Sequence, residues 1–293
     1  MGLINQGPSF AYWSDNLGTF TSGTSYGTAH DPGVNAGTPA DSTPGTILSA
    51  LAHDCEYLIL GFSGFGRSAV NTATFLDVLY DPAGGTAWSQ VIGDLIIGHS
   101  GSVIDLTTAS ATTLGISLAY HFPIWLPSGS SIGVRAKTIS ASPYPASPRI
   151  IAYAAGGCRN PASWWCGQKV ETVGTLNQNT CRGQSITPGA NGGMGSWTDL
   201  GSPLSTAGGS VQYGCQGQSG SAWVSEAYRL EFGAGNSMIG PAHWFGATSG
   251  ENLGRLLPGP VFYDFPAGVQ LQARLGSSAA SPVNCDVAAY VVQ

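Results

Sequence analysis

Charge is what this chain of 293 residues most conspicuously lacks. Lys, Arg, Asp and Glu make up 9% of it, against about 25% in an ordinary globular domain. Ten basic residues stand against sixteen acidic ones, for a formal net charge of −6. A nucleic-acid surface needs a basic patch to offset phosphate, so nucleic acid is excluded as a partner. No apolar run is long enough to span a bilayer, so membrane insertion is not expected. The opening Met1-Gly2-Leu3-Ile4-Asn5-Gln6-Gly7-Pro8 has neither a basic start nor a continuous apolar stretch. No secretory signal is expected there, and synthesis in a cytosol is.

Metal-ligand spacing is missing too. The cysteines (Cys55, Cys158, Cys166, Cys181, Cys215, Cys285) form no C-x-x-C pair, and the five histidines never fall at ligand spacing. Neither a zinc site nor any cofactor is expected. In a reducing compartment the cysteines are expected as buried free thiols. Cys158 and Cys166, which flank Arg159–Trp165, are the pair to test for a disulfide. Helical periodicity is absent as well: no long window holds an apolar stripe at helical spacing.

What the chain does have is a repeat. Leu126-Pro127-Ser128-Gly129, followed by Ile132, Val134 and Ala136 in alternation, returns as Phe265-Pro266-Ala267-Gly268, followed by Leu271, Ala273 and Leu275. Arg135 aligns with Arg274 on the opposite face. A tight turn before a period-two run reads as a half-buried strand. The spacing between copies is that of a whole domain, too long for a solenoid repeat or a propeller blade. Other runs pair up likewise. Phe75–Tyr80 resembles Tyr228–Phe232, with Asp77 aligned to Glu231, and Ile150–Ala154 resembles Val287–Val291. The expectation is an all-β chain of two tandem antiparallel β-sandwiches, jelly-roll-like, after an N-terminal arm. The boundaries are 1–26 for the arm, 27–156 for the first sandwich, 157–173 for a linker and 174–293 for the second. The arm carries Phe10, Tyr12, Trp13 and Phe20, which are read as anchors to a neighbouring molecule. The alternative is that the arm packs as an edge strand on its own domain.

Catalytic patterns do not hold up. Gly129-Ser130-Ser131-Ile132-Gly133 and Gly23-Thr24-Ser25-Tyr26-Gly27 match G-x-S-x-G, but neither opens a helix as a nucleophile elbow requires. Asp77 and Glu231 alternate with apolar neighbours and are expected on the solvated or interface side of a sheet, not as a catalytic pair. No catalytic residue is assigned, and the chain is not expected to be an enzyme. Among eight tryptophans, Trp164, Trp165 and Trp244 are the candidates for contact with a glycan or a partner, because a sugar ring stacks on an exposed indole.

The segment Tyr120–Ala136, with its Phe-Pro-Ile-Trp-Leu-Pro-Ser-Gly opening onto a strand, resembles a motif of tailed-bacteriophage virion proteins. Gly195–Leu200 and Phe75–Tyr80 resemble further parts of that pattern. The resemblance implies a β-sandwich particle component without catalysis, made in the host cytoplasm and located in the virion. It implies partners among other virion proteins and itself, as a homotrimer. A tail fibre or tail tip is preferred to a head decoration or head fibre. The alternatives are a glycan-binding module for a host receptor, and a glycoside hydrolase-like depolymerase whose acids meet only in the fold.

Overall fold

A computed structural model describes residues 14–17, 28–29, 41, 43–51, 54–55, 57–63, 74–97, 99–100, 118–138, 149–155, 167–177, 182–217, 226–247, 251–252, 255–256 and 260–293. The first half supplies β1 (Ser14–Leu17), β2 (Thr28–Ala29), β3 (Gly45–Leu48), β4 (Tyr57–Ser63), β5 (Thr74–Asp81), β6 (Ser89–Ile97), β7 (His99–Ser100), β8 (Leu118–Phe122), β9 (Ser131–Thr138) and β10 (Arg149–Ala155). The second half supplies β11 (Val170–Val173), β12 (Thr175–Asn177), β13 (Arg182–Ile186), β14 (Thr198–Asp199), β15 (Gly208–Gly217), β16 (Glu226–Ala234) and β17 (Ser237–Met238). It continues with β18 (His243–Ala247), β19 (Glu251–Asn252), β20 (Arg255–Leu256), β21 (Val261–Phe265), β22 (Leu271–Ser277) and β23 (Cys285–Val292). No helix occurs among the described residues. The chain is an all-β protein of antiparallel sandwiches.

The same strand order appears twice. In the first half one sheet runs β3-β9-β5-β6 and the other β1-β10-β4-β8. In the second half one runs β14-β22-β16-β17, with β18 also on β16. The other runs β12-β13-β23-β15-β20, with β11 on β23 and β21 on β15. The repeated turn has one set of hydrogen bonds in both places. The Gly129 N–H donates to the Leu51 carbonyl at 2.8 Å, and the Leu51 N–H to the Ser130 carbonyl at 2.7 Å. In the second half the Gly268 N–H donates to the Leu204 carbonyl at 2.8 Å, and the Leu204 N–H to the Val269 carbonyl at 2.9 Å. Both turn glycines are left-handed, at φ 85° and 81°, where a Cβ would strain the backbone.

Val170–Val173 falls in the segment 157–173 that the sequence reads as a linker, yet it is β11, paired with β23 from Val170↔Val292 to Val173↔Ala289. Four residues of Val-Glu-Thr-Val are too short to be read as a strand without sight of the partner. Within the arm, Ser14–Leu17 pairs with β10 from Ser14↔Ala155 to Leu17↔Ala152, as an edge strand of the chain's own sheet. Phe10, Tyr12, Trp13 and Phe20 lie outside the described residues, as do Cys158, Cys166 and Cys181. Cys55, Cys215 and Cys285 are buried, and Cys215 and Cys285 carry free thiols.

The two halves share structure through β23, which is buried at every residue. Its Cys285, Val287, Ala289 and Val291 lie in the second sandwich's core with Tyr213, Leu230, Phe232 and Leu275. The intervening Ala288, Tyr290 and Val292 lie in the first sandwich's core with Leu58, Ile96, Phe122 and Val134. Because side chains alternate across a strand, one strand serves two cores. The first sandwich is therefore open along the edges β6 and β8, and the second half's sheet covers that opening.

Hydroxyl groups complete the joint. Strand β6 ends its sheet, so its outward N–H and C=O groups lack a strand partner. The Ile96 N–H donates to Tyr290 Oη at 2.7 Å, and Tyr120 Oη donates to the Ile96 carbonyl at 2.5 Å. Thr172 Oγ1 of β11 donates to the Gly93 carbonyl at 2.6 Å. The Tyr120 and Tyr290 rings meet edge to face, 5.5 Å apart. Burial pushes both phenols far above their ordinary range, so they remain protonated donors. A Cβ on Gly214 would stand 2.6 Å from Tyr120 Oη and 3.2 Å from the Tyr290 ring. Only glycine lets β15 pass beneath the two tyrosines.

Candidate functional site

The aligned acids sit at matching places in the two copies. Asp77 on β5 faces Arg135 on β9, and Glu231 on β16 faces Arg274 on β22. Both acids were expected toward solvent or an interface. Instead both are buried, Asp77 at 4% exposure and Glu231 at 0%. The partner guanidinium, itself about a third exposed, lies over the carboxylate and shields it from water.

In the first copy the ions form a closed network. Arg135 Nε is 2.7 Å from Asp77 Oδ2 and 3.4 Å from Asp41 Oδ2. Lys137 Nζ is 2.8 Å from Asp94 Oδ1 and lies over the Phe75 ring, 5.6 Å from its centroid. Asp94 has φ 51° at an irregular stretch of the β5–β6 pairing. That turn aims its N–H at Asp77 Oδ1, 2.7 Å away. Burial pushes the Asp77 carboxyl up, against the pull of the Asp94 N–H and of Arg135. For Lys137 burial favours the neutral amine, but the ion pair with Asp94 outweighs it and holds the amine charged.

In the second copy the same pair is framed by indoles. Glu231 Oε2 is 2.7 Å from Arg274 Nε and 2.6 Å from Arg274 Nη2. Glu231 Oε1 meets Nη2 of Arg229, two residues back on the same face of β16. The Arg274 guanidinium stacks on Trp197 at 4.4 Å, and that of Arg229 lies over Trp244 at 5.4 Å. The Trp197 ring fills the space that a side chain at Gly233 would need. Indole, guanidinium, carboxylate, guanidinium and indole thus follow one another across the outer face of this sheet. Two cations on one anion leave one positive charge between two aromatic faces, one of them 70% exposed. Such a surface suits ring stacking and hydrogen bonding to an oxygen-rich ligand.

Of the residues singled out from sequence, Trp244 is in this row. Trp164 and Trp165 lie outside the described residues. Sequence reasoning missed Trp197, Arg229 and the role of Arg274 beneath an indole. The alternation Tyr228-Arg229-Leu230-Glu231 did place Arg229 and Glu231 on one face, but which aromatics cover them depends on strand pairing. The Gly129–Gly133 motif leads from the turn into β9; Ser130, just before the strand, and Ser131, its first residue, are both buried, and Ser131 Oγ donates to the Gly85 carbonyl at 2.6 Å. No cluster of three or more His, Cys, Asp or Glu side chains suited to a metal occurs among the described residues.

The large apolar side chains exposed among the described residues are Met238, Trp244, Phe262 and Tyr263. All four are on strands that end a sheet of the second sandwich. Met238 and Trp244 are on β17 and β18, which pair with β16. Phe262 and Tyr263 are on β21, which pairs with β15. Gly240, between β17 and β18, abuts Val261 of β21, so these strands flank one side of the sandwich.

No known protein family matches the chain, and no curated protein does. Among solved structures it is similar to PNGF-II, at 10% identity and a TM-score of 0.37. The match covers 85% of this chain and 59% of that one, so the chain spans well under two thirds of its length. A likeness of that size carries no argument about activity.

Proposed function

We propose that this protein is a structural and attachment component of a tailed-phage virion, in the tail in preference to the head. The observation that carries the reading is the joint. Two sandwiches share a buried strand and behave as one block, and that block leaves an apolar edge for a neighbour. Further support comes from the resemblance over Tyr120–Ala136, which spans β8, the glycine turn and β9. The low charge fits a chain whose surface is covered by partners. The clustered ions of both copies pair with one another across strands, as structural pairs do. The test is to raise antibodies against the purified chain and label intact particles by electron microscopy. Labelling at the tail is expected. Particles that lack the chain altogether would overturn the reading.

The Trp197–Trp244 row favours a second reading, attachment through a surface glycan. Two guanidiniums and an exposed indole on one sheet fit an acidic polysaccharide. Binding of bacterial lipopolysaccharide and capsular polysaccharide panels should be lost on Trp244→Ala, with unchanged melting temperature. Binding that survives this change, or no binding by the unaltered chain, removes the glycan reading and leaves the structural one.

A further inference from the structure

We propose that Arg229 is the specificity-determining residue of the glycan site, and that it selects a sugar bearing a carboxylate whose ring stacks on Trp244. The proposal rests on the glycan reading above and names the ligand class which that site prefers.

Strand β18 reads His-Trp-Phe-Gly-Ala. Alternation turns His243 and Phe245 inward, where His243 is buried and Phe245 packs on the second core, its ring stacked with Tyr228. It turns Trp244 outward, opposite Arg229 of β16. Core packing therefore does not account for this indole. Its ring lies 5.4 Å from the Arg229 guanidinium, and with 70% of the residue exposed it still offers ring surface to a ligand. The apolar face of a pyranose fits such a surface. A hexuronate carries its carboxylate on the pyranose itself, so a ring stacked there brings the anion beside the guanidinium.

Arg229 is also the cation with capacity to spare. Glu231 receives Arg274 through both Nε and Nη2, but meets Arg229 through Nη2 alone. Asp199, a further acid, stands on β14 beside β22, the Arg274 strand, where Gln272 Nε2 donates to it at 2.7 Å. Among the described residues Glu231 is the one ion partner of Arg229, and the Arg229 side chain is 38% exposed. A guanidinium has five N–H donors in a planar fork, and a carboxylate takes two of them in parallel, where a hydroxyl takes one. The first copy shows the contrast. There Asp41, Asp77 and Asp94 set three acids against Arg135 and Lys137, a negative surplus that repels an acidic sugar. The site belongs to the second copy alone.

Calorimetric titration of the whole chain tests this, with hexamers of galacturonate and of mannuronate, each beside its methyl ester. The ester keeps the rings and loses the charge. At least one acid should bind about tenfold tighter than its ester, the size of one charge-assisted hydrogen bond. Arg229→Gln should keep the fold, because Arg274 still holds Glu231, and should bind acid and ester alike. Arg229→Lys keeps the charge and loses the fork, so its preference should fall between the two. A sulfated hexamer of the heparin type is the third arm. Sulfate bound as tightly as the better acid would show that charge alone is read, and the carboxylate assignment falls. Acid and ester bound alike by the unaltered chain, no acid bound, or a preference that survives Arg229→Gln would each overturn the proposal. If Arg229→Gln does not fold, the unaltered chain and Arg229→Lys decide. The polysaccharide panels read the glycan site independently: panels that bind while the acid preference fails leave that reading standing, and panels that do not bind remove both.

Discussion

At the scale of the residue, the joint turns on three side chains and one missing side chain. Tyr290→Phe takes the acceptor from the Ile96 N–H, which is buried in the joint. A buried donor left without its partner costs about 1–3 kcal/mol, and a urea titration should show a loss of that size. Gly214→Val pushes a branched side chain into Tyr120 Oη. Overpacking of that kind costs about 1–3 kcal/mol. Combined with Tyr120→Phe, which removes the clashing oxygen, its cost should fall. Additive losses would show that the close approach does not govern this position.

At the scale of the element, the β5–β6 turn and the β16–β22 pair make separate predictions. In the turn, Asp81 accepts the Ala83 N–H at 2.9 Å and the Ala87 N–H at 2.8 Å. The Ala83 bond foremost, then that of Ala87, holds the carboxyl below its ordinary range. A carboxyl lowered by folding stabilises above its unfolded pKa of about 3.9 and loses that contribution as the pH falls through the folded value. Asp81→Ala should therefore melt below the unaltered protein at pH 7. The gap should narrow as the pH drops below about 4. A gap independent of pH would refute the assignment. On β16, Glu231→Leu leaves Arg229 and Arg274 without their anion. Breaking a fully buried pair costs about 3–5 kcal/mol. With both guanidiniums about a third exposed, a loss of about 2 kcal/mol is expected by denaturant titration, because water screens them.

The long strands such as β5, β9, β22 and β23 were legible in the sequence, and so was the turn that opens β9 and β22. The alternation in Leu271–Leu275 gives inward Leu271, Ala273 and Leu275 and outward Gln272 and Arg274, as observed. Pro-Ser-Gly and Pro-Ala-Gly announce the left-handed glycine. The burial of Asp77 and Glu231 was not legible, because the residues that cover them come from strands 43 to 58 positions away. The bulge at Asp94 has no local signal: Gly93-Asp94 reads as well for a turn as for a strand. The role of β23 was half legible. Val287–Val292 is an uninterrupted apolar run, the pattern of a strand covered on both faces. Only the fold tells that the second covering is the other sandwich.

At the scale of the whole molecule, the shared strand makes the two halves one thermodynamic body. Calorimetry should show a single transition whose van't Hoff and calorimetric enthalpies agree. Two resolved transitions would mean that Tyr290, Ala288 and Val292 add little to the first core. The exposed edge is the complementary property of the same block.

The position of β23 also imposes a schedule on biosynthesis. The first sandwich has all nine strands of its two sheets once Ala155 is made, yet its core is closed by Ala288, Tyr290 and Val292 of β23. At about 5–20 residues per second the ribosome needs roughly 7 to 30 seconds to bridge that gap. During that interval β6 and β8 stand as unsealed edges on a nascent chain, the state in which strand-rich proteins are most open to mispairing. A ribosome stalled before Cys285 would hold not one finished sandwich and one unfinished one, but two unfinished ones.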